Sequence, residues 1–406
     1  MALENHERTE DEFMNRKCGL IRNPFPPATT GLEKDPETKG WFPQEWTDRF
    51  DSIYDLLSSG QGIKAFPVTG AYGSGKSVFL KHYITPCFQK NRIKPFYFEN
   101  PGTQFYDLAN AVLQQLGRFE YVKGIWELCR EKLQGPASGQ LFPVTFDQML
   151  AECDKKTLRG AWAQRLAAAI KSIGLTNNNT VAFKLAQIVL DTRNRPYFEY
   201  RDFVAGHDSS LVAEKLEPLY FRALIRSIIQ IYGVDGIAFI IDEFEDVAVQ
   251  GRLTHNKSSE YLVTLRSLVD FSATENLWII TAMTPEAEEA TKRMSVALWD
   301  RFVEFDKNKL DLNPLSRNDA ESLLLWWLNT ARVPTFDVPS KLFPFADDTF
   351  DSFENRPDLM LPRRLVKCLF MSLATVVRDR GTLPISASHT MEIAEQTYPR
   401  DQVSDD

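Results

Sequence analysis

The chain lacks the cysteine pattern of a disulfide framework or a zinc site. Its five cysteines, Cys18, Cys87, Cys129, Cys153 and Cys368, are odd in number, scattered along 406 residues and contain no C-x-x-C pair, which points to a reducing, cytosolic compartment. Long apolar runs are absent as well: none approaches the ~20 residues that a membrane span requires. Met1 to Arg16 is polar and rich in acids, unlike a signal peptide, so a soluble, cytoplasmic protein with no membrane partner is expected. Basic charge is in deficit, with 47 Lys and Arg against 55 Asp and Glu and a net charge of −8. This argues against coating nucleic acid through the overall field. Lys90, Arg92 and Lys94, the Arg193/Arg195/Arg201 group, and Arg252 to Lys257 are local basic strips that read as solvated faces. There is no internal repeat and no low-complexity tract. What is there, 43% hydrophobic and 25% charged residues, is an ordinary globular composition with core enough for two or three domains.

One segment carries a specific chemistry. Gly70-Ala71-Tyr72-Gly73-Ser74-Gly75-Lys76-Ser77 fits G-x-x-x-x-G-K-[ST], the phosphate-binding loop of nucleoside triphosphatases, and lies between a strand-like and a helix-like run. Glycines let backbone N–H groups curl around phosphate oxygens, the lysine reaches the β and γ phosphates, and the hydroxyl serves Mg²⁺. The expected nucleotide-binding residues are Gly70, Ala71, Tyr72, Gly73, Ser74, Gly75, Lys76, Ser77 and Val78, with Ser77 on the metal. A match somewhere in a chain of this length arises by chance in roughly 1–2% of chains, so a second motif is needed to decide.

The surrounding pattern alternates strands and helices. Residues 1–40 are polar and proline-bearing, with Asn23-Pro24-Phe25-Pro26-Pro27 as an apolar island, and predict an extended arm. Trp46, Phe50, Ile53, Tyr54 and Leu57 recur at helical spacing up to Ser58-Ser59-Gly60, where glycine suits a left-handed C-cap. Strands are predicted at Ala65–Thr69, Lys94–Glu99, Gly236–Ile241 and Leu277–Ala282. Pro67 is awkward in the first of these, since a central strand would lose one ladder hydrogen bond there. A helix from Lys76 to about Thr85, ended by Pro86, would point its N-terminal dipole and free N–H groups at the phosphates. Phe105–Leu116, Tyr220–Tyr232 and Tyr261–Phe271 read as further helices. The unbroken apolar run Gly236 to Ile241 implies burial on both faces, as in a parallel sheet covered by helices. Together these predict a doubly wound α/β domain.

Two regions stand apart from it. Residues 118–218 form a mostly helical insertion, whose aromatics Tyr121, Trp126, Trp162, Tyr197, Phe198 and Tyr200 read as core rather than as base-stacking platforms. After about Pro314 no strand pattern appears. Ser316 with Asp319 starts a capped helix carrying Leu323 to Leu328, and Pro362 opens another whose Leu365, Leu369, Leu373 and Val376 make one apolar stripe. The expected organisation is an arm at 1–40, an α/β core at 41–117 and 219–313, the insertion at 118–218, and a small all-helical domain at 314–406.

The second motif stands at the end of the most apolar strand. Asp242-Glu243-Phe244-Glu245 delivers two adjacent carboxylates to the sheet edge, and alternation sends them to different sides. Asp242 can hold Mg²⁺, and Glu243 can polarise the water that attacks a γ phosphate.

With the Gly70–Ser77 loop, the Ile240-Ile241-Asp242-Glu243 run and a helical region after the core, the chain resembles an AAA+ P-loop ATPase, nearest to the origin-recognition and transposition-regulator clade. The resemblance covers roughly residues 40–117 and 219–397. It implies a polar sensor residue at the end of the strand after the acidic pair, which falls on Thr284, with Thr281 as the alternative. It implies an arginine finger reaching into a neighbouring subunit, matched by Arg301 in Leu298-Trp299-Asp300-Arg301-Phe302. Such an arginine supplies ~10³–10⁵ in rate, or roughly 4–7 kcal/mol. It implies a second sensor arginine at the start of a helix in a lid domain, matched by Arg363 in Leu361-Pro362-Arg363-Arg364-Leu365, with Arg364 next and one of the two facing solvent. The Asn23 to Pro27 segment matches in position the arm that lines the adenine pocket. Two features depart from the pattern: the insertion is far larger than a minimal core needs, and the chain stops soon after the lid, leaving no room for a winged-helix DNA-binding domain.

The expected activity is thus Mg²⁺-dependent ATP hydrolysis at the subunit interfaces of a homo-oligomer, with ATP and Mg²⁺ as cofactors, coupled to regulating or remodelling a partner protein or a DNA complex such as mobile-element or anti-phage machinery. The alternative is a slowly hydrolysing ATP-dependent assembly switch that recruits an effector or DNA. A small-molecule or nucleotide kinase also uses such a loop, but the strand-end acidic pair and separate helical region disfavour it.

Overall fold

A computed structural model describes residues 10–27, 40–60, 62–99, 105–133, 145–152, 156–191, 197–204, 210–248, 254–303, 307–353 and 355–400. Five parallel strands form one sheet: β1 (Ala65–Thr69), β2 (Ile93–Phe98), β3 (Gly236–Ile241), β4 (Leu277–Met283) and the short β5 (Leu310–Asp311), in the order β2-β3-β4-β1-β5. Every residue of β1, β3 and β4 is buried, as an unbroken apolar run in a parallel sheet requires. Helices cover both faces, so the chain is α/β with a parallel sheet flanked by helices.

Strand alternation divides the core in two. Ile237, Phe239 and Ile241 of β3 point to one apolar cluster and Ala238 and Ile240 to the other. The first cluster takes in α3 (Phe105–Leu116), the helices between residues 118 and 232, and α11 (His255–Ser272), so the expected insertion continues the packing of one sheet face. Those helices are α4 (Arg118–Leu133), α5 (Phe146–Glu152), α6 (Lys156–Ser172), α7 (Asn179–Asp191), α8 (Tyr200–Val204) and α9 (Ser210–Tyr232). Tyr121, Trp126, Trp162, Phe198 and Tyr200 are buried there, whereas Tyr197 is 85% exposed and belongs to no core. The second cluster joins α1 (Gln44–Ser59), the helix α2 over residues 76–90, and the C-terminal helices α14 (Arg317–Asn329), α15 (Pro362–Asp379) and α16 (Ala387–Thr397). The stripe Leu365, Leu369, Leu373 and Val376 is buried, and Ser316 caps α14 by accepting from the Asp319 N–H at 3.2 Å.

The two strand prolines are tolerated for a topological reason. The Lys64 carbonyl and the Gly70 N–H both bond to β4, so alternation turns Pro67 toward β5, which pairs only with Val68 and Thr69. Likewise the Arg92 and Phe98 carbonyls bond to β3 or its flanks, which turns Pro95 to the open edge of β2. Neither missing N–H interrupts a central ladder.

Several expectations are corrected. The arm is not extended throughout: Glu10 to Cys18 is helical, and Met14, Cys18, Leu20 and Phe25 are buried against the C-terminal helices, because their apolar spacing suits a packed turn. The remainder of residues 1–40 (1–9 and 28–39) lies outside the described residues. Gly60 is extended (φ −93°, ψ 150°) and does not form a left-handed cap. Pro86 does not end α2. A π-helical turn at Leu80–Ile84 shifts the hydrogen-bond register, and Pro86 then falls in the first turn of Thr85–Lys90, where no N–H is called for. Strand β5 went unpredicted, being too short, and α9 begins at Ser210, ahead of the predicted Tyr220 and inside the stretch expected to be mostly helical.

Among the described residues, no helix is long and apolar enough to cross a membrane. The described cysteines are free. Burial raises the thiols of Cys18, Cys129 and Cys368 to about 12, which suits inert core positions.

Candidate functional site

A cleft of about 300 Å³ opens at the carboxyl ends of β1 and β3. In open α/β sheets this is where ligands bind. Three separate parts of the chain converge on it. The loop after β1 contributes Tyr72, Gly73, Gly75, Lys76, Ser77 and Val78; the turn after β3 contributes Asp242, Glu243 and Glu245; the start of α15 contributes Pro362 and Arg363.

The loop owes its shape to its glycines. Gly73 and Gly75 have φ of +84° and +97°, values that side-chain-bearing residues rarely adopt, and a Cβ on Gly73 would come within 3.0 Å of the Arg363 Cβ. Lys76 is buried, and its Nζ donates to the carbonyls of Gly70 at 2.7 Å and Ala71 at 3.3 Å. Burial holds the Lys76 ammonium below its ordinary value, against the opposing pull of Glu245, Asp242 and Glu286. Ser74 is fully buried with a hydroxyl that has no hydrogen-bond partner.

The acidic turn separates its carboxylates. Asp242 is buried; its Oδ2 accepts from the Tyr97 phenol at 2.5 Å and its Oδ1 from the Glu243 N–H at 2.9 Å. Glu243 follows with φ of +49° and is exposed. That left-handed backbone on a non-glycine residue costs ~1–3 kcal/mol and clusters at functional sites. Glu245 opens the short α10 (Glu245–Ala248), and its Oε2 is buried without a partner. Burial raises the Glu245 carboxyl, while Lys76 pulls it down. Both charged forms are thus disfavoured by desolvation more than their mutual attraction restores.

At the other wall, the Arg363 N–H donates to the Gly73 carbonyl at 3.1 Å and its guanidinium lies 4.9 Å over the Tyr72 ring. Arg364 faces away, paired with Asp358 at 3.1 Å. It is only 18% exposed at its side chain, so neither arginine is given over to solvent. The remaining wall is aromatic and apolar: Trp41, Phe42, Trp46 and Trp326, with Pro26 from the N-terminal segment.

No protein-family model matches the chain, and no curated protein matches it.

The other expected site residues lie elsewhere. Thr284 is not among the cleft residues. It caps α12 (Pro285–Met294), its hydroxyl accepting from the Ala287 N–H at 3.3 Å. Thr281 is buried inside β4, level with Pro67 and Ile241, and its hydroxyl has no hydrogen-bond partner. Arg301, on α13 (Val296–Phe302), is also outside the cleft; its Nε lies 2.5 Å from Asp270 and its guanidinium donates to the Ala297 carbonyl at 2.6 Å. Gly70, Ala71 and Ser74 support the loop without lining the cleft.

Sequence reasoning assigned no role to Tyr97, Glu245 or Trp326. Glu245 lies two residues beyond the acidic pair and could have been found there. Tyr97 and Trp326 carry no sequence signal, because only the fold brings β2 beside Asp242 and α14 to the cleft. As for a metal, no group of three or more His, Cys, Asp or Glu side chains among the described residues could hold one. Ser77 and Asp242 both line the cleft, an oxygen-donor pair of the chemistry that Mg²⁺ takes alongside substrate phosphates.

Proposed function

We propose that this chain is a Mg²⁺-dependent ATP-binding and ATP-hydrolysing protein of the AAA+ P-loop type, nearest to the initiator and transposition-regulator clade. The observation that carries the reading is the convergence of the Gly70–Ser77 loop, Asp242 and Glu243, and Arg363 on one cleft at the carboxyl edge of a parallel sheet. In this reading the loop N–H groups and Lys76 hold the phosphates, and the aromatic wall of Trp41, Phe42 and Trp326 receives the base. Ser77 and Asp242 hold the ion, which when bound neutralises charge on the transferring phosphoryl group. Glu243, exposed in the cleft, orients and deprotonates the attacking water. Arg363 reports the phosphate to the C-terminal helices through its contact with the loop. Thr284 and Arg301 complete the proposal as sensor and as a finger supplied to a neighbouring copy in a homo-oligomer. The work done is on a partner protein or DNA complex.

Nucleotide binding and phosphate release measured on three proteins test this. The natural chain should bind and hydrolyse MgATP, Lys76→Ala should lose binding, and Glu243→Gln should bind while turnover stops. Undiminished hydrolysis by Glu243→Gln would remove that residue as the base, and no binding by the natural chain would overturn the reading.

One observation favours the second reading, an assembly switch with slow hydrolysis. Arg301 is held within its own chain by Asp270 and the Ala297 carbonyl, so a finger role requires it to leave these partners on assembly. Turnover and mass by light scattering, each with and without ATP and DNA, separate the two; fast turnover by a persistent monomer counts against the switch.

A further inference from the structure

We propose that Tyr97 is a positioning residue for the divalent cation at the proposed nucleotide site, its phenol fixing the Asp242 carboxylate. The inference rests on the reading above and goes beyond it in naming what orients the cation's own side chains.

Strand geometry explains why Tyr97 is there. On β3, Ala238 and Ile240 face the core beneath α2, so two-residue alternation carries Asp242 to that same face. On β2, Ile93 and Tyr97 face it as well, and Tyr97 is level with Ile240 in the parallel register. The phenol therefore arrives beside Asp242, the residue that follows β3, between the sheet and the helix that begins with Lys76 and Ser77. Its O–H donates to Asp242 Oδ2 at 2.5 Å, within the short range of hydrogen bonds to a carboxylate. Asp242 Oδ1 takes the Glu243 N–H at 2.9 Å, so each oxygen has one anchored hydrogen bond and keeps lone pairs for an ion's water shell. The phenol O–H is the donor in this bond, since an ionised carboxylate offers acceptors alone.

The ring itself is held. Lys81, one turn beyond Ser77 on α2, places Nζ 4.8 Å over the Tyr97 ring and pairs with Glu99 at 3.1 Å, just past the end of β2. A cation on the ring face fixes its tilt. Partners that orient metal-binding side chains in this way typically alter metal affinity or activity by ~10–100-fold when removed.

The test is Mn²⁺ binding, followed by electron paramagnetic resonance in the presence of a non-hydrolysable ATP analogue, in the natural chain, Tyr97→Phe, Asp242→Asn and the double variant. Tyr97→Phe removes one oxygen and keeps the ring, and thermal unfolding and analogue binding in EDTA verify that the fold and the phosphate loop are intact. The expected result is Mn²⁺ affinity lowered ~10–100-fold in Tyr97→Phe with analogue affinity in EDTA unchanged, and no further loss when Tyr97→Phe is added to Asp242→Asn. Unchanged Mn²⁺ affinity in Tyr97→Phe, or full additivity of the two substitutions, overturns the role of Tyr97 while leaving the nucleotide reading intact. If the natural chain itself binds no analogue, the nucleotide reading falls and this inference with it.

Discussion

The main-chain N–H of Arg363 donates to the carbonyl of Gly73 at 3.1 Å, so the C-terminal helices are tied to the Gly70–Ser77 loop by backbone as well as by the Arg363 guanidinium over Tyr72. A side chain on Gly73 would disturb both ends of this tie, since its φ is +84° and its Cβ would crowd that of Arg363. Gly73→Ala is expected to destabilise the protein by about 1–2 kcal/mol, the cost of a left-handed backbone on an L-residue, and to weaken nucleotide binding. Urea unfolding and nucleotide titration check the two effects.

Arg301 and Asp270 are an exposed to half-buried pair, with side chains 29% and 46% accessible. Such a pair contributes ~0–1 kcal/mol, so Arg301→Ala should leave the melting temperature almost unchanged. If Arg301 serves a neighbouring copy, the same substitution should reduce assembled turnover by ~10³-fold or more. Mixing Arg301→Ala with Glu243→Gln subunits should then restore part of the activity, because each supplies what the other lacks; no restoration at any mixing ratio would count against a shared site.

Glu245 predicts a pH effect. Burial raises its folded-state pKa above the ordinary value of 4.5. Between the unfolded and folded values the folded protein binds more protons, so stability falls as pH rises through that window and the cost is fully present above it. Glu245→Gln removes the ionising group. Its melting temperature should exceed that of the natural chain at about pH 8 and match it more closely at about pH 4, below the ordinary value. Differential scanning calorimetry at the two pH values reads this directly.

Trp326 lines the apolar wall of the cleft. If a base stacks there, Trp326→Ala should cost ~1–3 kcal/mol of nucleotide affinity, about 5- to 150-fold in Kd. Isothermal titration with ATP, and with inorganic triphosphate as a ligand without a base, isolates the stacking contribution: only the former should weaken.

The sequence alone determined the strands β1, β3 and β4 almost to the residue, and the start and buried stripe of the helix α15, because their signals are local. An unbroken apolar run means burial on both faces, and Pro362 followed by Leu365, Leu369 and Leu373 repeats at the helical period. It also determined the glycine loop and the acidic turn, where residue type at fixed spacing is itself the constraint. Only the tertiary structure decided what stands around them. That Arg363 borders the cleft while Arg364 pairs with Asp358 follows from the docking of α15 on Gly73, and the pairing of Arg301 with Asp270 from the packing of α13 against α11. The place of Tyr97 beside Asp242 depends on the β2–β3 register, which joins residues 145 positions apart. Local spacing cannot encode such contacts, since they are selected by which faces of distant elements bury each other.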